Sequence, residues 1–144
     1  MKTVISFLFD EKESMQAAFD IRTEVFVKEQ GVDPTLEYDA HEKTAHHYLC
    51  LVDGTPAGTG RWRETAEGIK LERYAVLHEY RNQGIGAEIL HAMLKDLLPL
   101  KKKIYLHAQL PAVAFYERHG FVTEGEVFYE AEMGHLKMTL VQKP

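Results

Sequence analysis

The segment best suited to chemistry is Arg81-Asn82-Gln83-Gly84-Ile85-Gly86, which lies between an apolar strand pattern and an amphipathic helical pattern. A strand that turns through glycine into a helix directs several free backbone N–H groups to one point, and the helix dipole reinforces them. Glycine also lets a ligand approach the backbone closely. The segment therefore predicts an anion site with phosphate as its guest, while a plain strand-to-helix connection is the alternative.

Two common phosphate-binding patterns are missing from the sequence. There is no GxxxxGK[ST] loop, and Gly84-Ile85-Gly86 continues with Ala87-Glu88-Ile89 instead of completing GxGxxG. The sequence therefore does not predict a P-loop or a dinucleotide fingerprint.

Two blocks of sequence resemble the GNAT superfamily of acetyl-coenzyme A dependent N-acetyltransferases. Residues 81–86 match its Q/R-x-x-G-x-G/A signature, and residues 112–121 look like the A-x-x-x-Y-x-x-x-G-F block that follows its fifth strand. The blocks have the family's order and separation, and the resemblance covers nearly the whole chain. Residues 22–30, 106–109 and 130–135 resemble a small bacterial branch, in which many members have Asn at the position of Gln109.

The resemblance implies acetyl-coenzyme A as the acyl donor. The backbone N–H groups of residues 81–86 would hold the pyrophosphate, and the strand edge at residues 74–76 would pair with the pantetheine amides. The arm would enter a gap between the fourth and fifth strands. The expected cofactor-binding residues are Tyr74, Ala75, Val76, Arg81, Asn82, Gln83, Gly84, Ile85, Gly86, Gln109 and Tyr116.

Direct attack of an amine on a thioester needs a base, donors for the oxyanion and an acid for the departing thiolate. Tyr116 matches the family's general-acid position, and the backbone N–H of Val76 is the expected oxyanion donor. Without the motif, Tyr116 would be interpreted as a core tyrosine on an amphipathic helix.

The base is open to several interpretations. Glu72 shares a strand face with Tyr74 and Val76, and a buried glutamate with a raised pKa accepts protons near neutral pH. The alternative is a structural ion pair between Glu72 and an arginine such as Arg22. His107 and His135 are further candidates for the base, or groups that contact the substrate.

The acceptor side is predicted from six residues that are far apart in the sequence. They are Arg22, Phe26 and Glu29 on the first helix, His107 on the fifth strand, and Glu130 and His135 late in the chain. Arg22 lies on the same helical stripe as apolar residues, so it either extends its charge to solvent or binds a carboxylate or phosphate of the acceptor. A small-molecule or peptide amine is the expected substrate, and the acidic balance favours a cationic one.

Composition limits the remaining classes. The chain has 144 residues, 45% of them hydrophobic, a net charge of -5 and one cysteine, Cys50. We therefore expect one packed domain, no nucleic-acid partner, no membrane span and a reducing, cytoplasmic location. The histidines lack a recognised ligand spacing, so no metal is expected, and the family analogy implies a monomer or homodimer.

The periodicity predicts one mixed α/β (α+β) domain. The family resemblance implies a GNAT-like mixed, mostly antiparallel central sheet of about seven strands flanked by helices. Asp10 and Glu13 have the spacing of a capping box at the first helix, Asp53-Gly54 predicts a tight hairpin, and residues 30–44 predict a surface loop or lid. A noncatalytic acyl-coenzyme A binding or sensing module is the alternative to an enzyme.

Overall fold

In a computed structural model that describes residues 1–142, seven strands form one sheet in the order β1-β2-β3-β4-β5-β7-β6. The strands are β1 Lys2–Phe7, β2 His46–Val52, β3 Thr55–Thr65, β4 Gly68–Val76, β5 Ile104–Gln109, β6 Phe121–Glu130 and β7 Met133–Leu140. Only β4 and β5 run parallel, and the other neighbours are antiparallel. The predicted mixed, mostly antiparallel sheet is confirmed.

Helices lie on both sides of this sheet. They are α1 Lys12–Arg22, α2 Pro34–Glu37, α3 Ile85–Leu97 and α4 Val113–Arg118. The first helix continues beyond α1 as a π-helical segment, Thr23–Glu29, whose wider turns the apolar periodicity did not predict. The predicted capping box is wrong, because Glu11 is the N-cap and no side chain caps the helix there. Among the described residues, no helix is long and apolar enough to cross a membrane.

The segment between residues 30 and 44, which was expected to be a surface loop or lid, is anchored to the rest of the fold. Asp33 caps α2 by accepting a hydrogen bond from the backbone N–H of Thr35 at 2.9 Å. Glu37 and Glu42 in this segment are only 2% and 5% exposed. Their carboxylates are bound by buried arginines, and this charge pairing holds the segment against the sheet.

One face of the sheet packs closely against α3. The apolar stripe of that helix includes Ile85, Ile89 and Met93, all fully or almost fully buried. A Cβ at Gly58 would lie 2.7 Å from Ile85 Cγ2, and one at Gly60 would lie 2.8 Å from Met93 Cε. These two glycines of β3 therefore allow the helix backbone to approach the sheet.

A gap opens in the middle of the sheet between β4 and β5. The two strands pair only over Ile69–Leu71 and Ile104–Leu106, although they continue to Val76 and Gln109. The register of β3 and β4 shifts in the same region, and Arg73 has a φ of 57°. An extra residue of this kind bends a strand and increases its local twist. The splayed gap expected from the family resemblance is therefore present.

Candidate active site

The predicted phosphate segment forms the wall of a groove of about 540 Å³. Residues Val76, Arg81, Asn82, Gly84, Ile85 and Gly86 contribute to its lining, as do Tyr74, Ala75 and Tyr116. Asn82 and Gly84 have φ values of 63° and 79°, and no side chain caps the start of α3 at Gly84. Left-handed residues in a turn and uncapped N–H groups form a concave anion site. This turn, which we call the cradle, is therefore suited to an anion, as the pyrophosphate expected from the family resemblance requires.

The side chain of Arg81 is occupied by protein groups. Its Nε donates to the carbonyl of Val76 at 3.0 Å, and its two terminal nitrogens donate to Glu29 at 2.8 Å. The hydrogen bonds from Arg81 lower the pKa of Glu29. Glu29 was expected on the acceptor side, but it lies beside the phosphate segment and does not line the acceptor cavity described next.

A second cavity, of about 470 Å³, is lined by residues of β4 and β5 where the two strands separate and by Phe26 of the π-helical segment. Tyr74 and Tyr116 line both this cavity and the groove, so the two spaces meet at these side chains. The predicted site residues that line the cavity are Phe26, Glu72, Tyr74, His107, Gln109, Tyr116, Glu130 and His135. A donor in the groove and an acceptor in the cavity would therefore meet at Tyr74 and Tyr116.

Tyr116 is 7% exposed and lies edge-to-face with Tyr74, with the ring centroids 6.0 Å apart. Burial raises the pKa of Tyr116 well above that of an ordinary phenol. Its hydroxyl has no hydrogen-bond partner within residues 1–142. Tyr116 therefore keeps its proton at neutral pH and has it free for a ligand.

Arg22 does not reach the acceptor side, which corrects its predicted role. It is 1% exposed, and its Nε donates to Glu37 at 2.6 Å while its terminal nitrogens donate to Glu42 at 3.0 and 2.5 Å. These hydrogen bonds raise its pKa in spite of the opposing effect of burial. A buried guanidinium that binds two carboxylates cannot bind a substrate.

Glu72 belongs to the same buried ion cluster. It accepts hydrogen bonds from Nε of Arg61 at 2.7 Å and Nε of Arg63 at 2.9 Å, and Lys70 lies 3.5 Å away. Burial alone would raise the pKa of Glu72, but these three cations outweigh it and lower the pKa. The hypothesis of a glutamate base with a raised pKa is therefore wrong. The structural ion pair exists, with Arg61 and Arg63 in place of Arg22.

The ion cluster contains residues that the sequence analysis missed. Arg61 donates to Glu42 at 2.6 Å and to Asp39 at 2.8 Å, and Arg73 donates to Asp39 at 3.1 Å. Glu37 keeps one enclosed carboxylate oxygen, Oε2, that has no partner among residues 1–142. The concentration of acidic residues between positions 37 and 42 was the available signal, but it did not show that two arginines lie beneath it.

The far wall of the cavity carries two imidazoles that pack against Phe128. The His107 ring lies 5.0 Å from the Phe128 ring and that of His135 lies 5.8 Å from it. Nδ1 of His107 is 2.9 Å from Glu130, and this contact lowers the pKa of the Glu130 carboxyl. Gln109 exchanges two amide hydrogen bonds, of 3.1 and 3.2 Å, with Gln30, the residue that follows the π-helical segment.

Comparison with known proteins agrees with this architecture. Residues 9–142 match the family described as acetyltransferase (GNAT) domain. A Bacillus subtilis protein named as an uncharacterized N-acetyltransferase, YjcF, is 38% identical over 96% of this chain and 98% of its own length. The crystal structure of an acyl-CoA N-acyltransferase from Pseudomonas aeruginosa superposes with a TM-score of 0.87 at 26% identity, covering 98% of this chain and 100% of its own. Escherichia coli ElaA has a TM-score of 0.88 at 23% identity with the same coverage.

Proposed function

Because the chain belongs to the GNAT acetyltransferase family, whose members take acyl groups from acyl-coenzyme A, we propose that it moves an acetyl group from acetyl-coenzyme A directly to a primary amine. The amine belongs to a small molecule or to a protein. The observation that carries the proposal is the junction of two cavities at Tyr74 and Tyr116, at the open end of the β4–β5 gap.

Binding of the acyl donor is assigned to the groove. The backbone N–H groups of residues 82–86 hold the pyrophosphate, supported by the left-handed turn and the uncapped start of α3. The free edge of β4 at residues 74–76 pairs with the pantetheine amides beyond the point where β5 separates. Tyr116 on α4 completes this side, whereas Gln109, at the end of β5, lines the second cavity and not the groove.

The acceptor is assigned to the second cavity, which meets the groove at Tyr74 and Tyr116. Phe26 and the apolar atoms around it exclude water, while His107, Glu130 and His135 supply polar contacts. Glu29 and Arg22 are omitted from this set because both are committed to other side chains. Because the thioester enters through the groove and the amine through the second cavity, the two can react directly, without an acyl-enzyme.

Tyr116 acts as the general acid in this proposal. Its raised pKa keeps the phenol protonated, and its unpartnered hydroxyl donates to the sulfur as the carbon–sulfur bond breaks. The backbone N–H of Val76 donates to the oxygen on which charge develops.

A direct test uses two measurements on the intact chain. We expect acetyl-coenzyme A to bind in calorimetry, and we expect free thiol to be released when primary amines are added. Binding without thiol release from any amine would favour a sensing module. Absence of binding would refute both functions.

A further inference from the structure

We propose that His135 is the general base that deprotonates the acceptor amine, acting through its Nε2 atom. This inference rests on the proposed acetyltransferase function and adds the residue that accepts the proton. It starts from the ion cluster, because the other buried candidate, Glu72, is bound to three cations and cannot act as a base of raised pKa.

The tautomer of His135 follows from its one hydrogen bond. Nδ1 lies 2.8 Å from the backbone carbonyl oxygen of Met133. A carbonyl only accepts, so Nδ1 carries the proton and donates it. In the neutral ring Nε2 therefore has a free lone pair, which is the form that accepts a proton from a substrate.

The lone pair of Nε2 faces the acceptor cavity. His135 is 6% exposed and lines that cavity. Nε2 has no partner within the described residues, yet it is not enclosed, since the enclosed unpartnered side-chain atoms there are Glu37 Oε2 and Thr139 Oγ1. Because His135 lines the cavity and its Nε2 is not enclosed, we assign the accessible side of Nε2 to a ligand in the cavity.

The position of His135 in the sheet places it at the end of β5 from which the chain continues to the general acid. It lies opposite Gln109, the last residue of β5, and a single turn of chain connects Gln109 to α4 with Tyr116. His107 lies opposite Lys137, further from this end, so its position and not its Nδ1 contact with the half-exposed Glu130 distinguishes it from His135. An amine between His135 and Tyr116 would have a base on one side and an acid on the other.

The proton balance of the step closes with these two side chains. Nε2 of His135 takes one proton from the ammonium, and the nitrogen lone pair forms the carbon–nitrogen bond. As the carbon–sulfur bond breaks, Tyr116 gives its proton to sulfur and recovers the second proton that the nitrogen loses. His135 then releases its proton to solvent, so one proton leaves for each amide formed.

The charged and titratable groups that face His135 determine the control measurements. They are His107 on β5, Glu130 on β6, Lys137 on β7 and Tyr116 on α4, while the turn at residues 110–112 has none. Across the same cavity lie Glu37 of α2 and Lys70, Glu72, Arg73 and Tyr74 of β4. A base that must be neutral gives a kcat/KM that falls as the pH is lowered. Because His107 is a second imidazole in the same cavity, the pH profile of the wild type alone does not assign the base.

The variant His135→Asn distinguishes His135 from His107 as the general base. Its amide can still donate to the Met133 carbonyl but has no basic nitrogen. The assay uses acetyl-coenzyme A and the amine that reacts fastest among n-butylamine, ethanolamine, putrescine and glycine. We expect the variant to lower kcat/KM by about 100-fold or more and to abolish the acidic limb, which is the fall of kcat/KM at low pH. Calorimetric affinity for acetyl-coenzyme A should not change. The control His46→Asn, at an exposed ring stacked on Trp62 outside both cavities, should behave as the wild type.

Hydroxylamine supplies a further test because it is already neutral at the assay pH and needs no base. After subtraction of the enzyme-free rate, His135→Asn should acetylate hydroxylamine at close to the wild-type rate. A variant that keeps its kcat/KM and its acidic limb with the other amines overturns the proposal. Equal losses with hydroxylamine and with those amines also overturn it, since they would indicate misplacement of the acceptor.

The tautomer can be measured without donor or acceptor. Nitrogen-15 spectra of histidine-labelled protein should show Nδ1–H and an unprotonated Nε2 for the signal that His135→Asn removes. An Nε2–H tautomer overturns the base assignment even if the wild type acetylates amines. A wild type that neither binds acetyl-coenzyme A nor releases thiol refutes the proposed function instead.

Discussion

Arg61 donates to the carboxylate of Glu72 from Nε at 2.7 Å, and both side chains are almost completely buried. The two residues lie on neighbouring strands and are directly paired in the β3–β4 register. Because Glu72 is bound in this pair, its carboxylate is a structural anion in the wall of the acceptor cavity and not a base. Arg61 also links the sheet to the segment of residues 30–44, because it binds Glu42 and Asp39 as well.

We therefore predict that Glu72→Gln reduces stability more than catalysis. Loss of one partner of a buried ion pair leaves Arg61 undercompensated, at a cost of about 3 kcal/mol in the free energy of unfolding. Urea unfolding measures this change. In the folded variant, kcat for amine acetylation should stay near the wild-type value. A large loss of kcat with unchanged stability would restore Glu72 as a catalytic candidate.

The ion cluster also predicts loss of stability in acid. Although burial opposes it, the arginines lower the folded-state pKa of Asp39, Glu42 and Glu72. Carboxyls with a lowered folded pKa stabilise the fold fully above their unfolded values, near 4. That contribution is lost as the pH falls through the folded values. Urea midpoints should therefore fall between about pH 5 and pH 3, and Glu42→Gln should give a shallower slope. An equal slope in this variant would contradict the prediction.

Local patterns in the sequence were sufficient for the sheet and for the two signature blocks. Asp53-Gly54 forms the predicted tight hairpin, and both residues have positive φ values. The partners of Arg22 and Glu72 could not be predicted, because an ion pair depends on which distant segments meet. The apolar stripe that contains Arg22 and Phe26 also gave no sign of the change from α-helix to π-helix after Arg22. Glu29, the last residue of that π-helical segment, binds Arg81.

Glu29 offers a prediction about donor affinity. Its carboxylate adds negative charge beside the phosphate cradle, where it binds Arg81. The side chains of Arg81 and Glu29 are 35% and 40% exposed, so solvent screens the pair. We expect Glu29→Gln to tighten coenzyme A binding about two- to fivefold at low salt. Calorimetry measures this, and Glu24→Gln, from an exposed pair with Lys28, is the matched control. Weaker binding in Glu29→Gln would mean that the pair orders the cradle.

Gly84 should be required for the cradle itself. Alanine at its φ of 79° costs about 1–2 kcal/mol, and its Cβ would lie 3.1 Å from Nζ of Lys2. We expect Gly84→Ala to weaken coenzyme A binding about tenfold, equivalent to one lost charge-assisted hydrogen bond. Gly54→Ala has a similar strain, at a φ of 83° with open space around it. It should lower the melting temperature without changing affinity, and equal affinity losses in both variants would refute a local role.

Tyr116→Phe tests the proposed general acid. The phenol has a raised pKa and no hydrogen-bond partner within residues 1–142, so removal of its oxygen breaks no internal contact. The ring stays, with its packing against Tyr74 and Phe121, and the free energy of unfolding should hardly change. If the hydroxyl protonates the departing sulfur, kcat should fall by about 100-fold or more while affinity for acetyl-coenzyme A is kept.

The choice of leaving group makes the Tyr116→Phe prediction more specific. An acyl donor whose thiol is more acidic than that of coenzyme A needs less protonation as it departs, so the variant should lose less activity with it than with acetyl-coenzyme A. Thiol release from matched donors measures the ratio of the two losses. Equal kcat for variant and wild type would remove Tyr116 as the acid. An equal loss with both donors would instead assign its hydroxyl to positioning of the thioester, because positioning does not depend on the acidity of the leaving thiol.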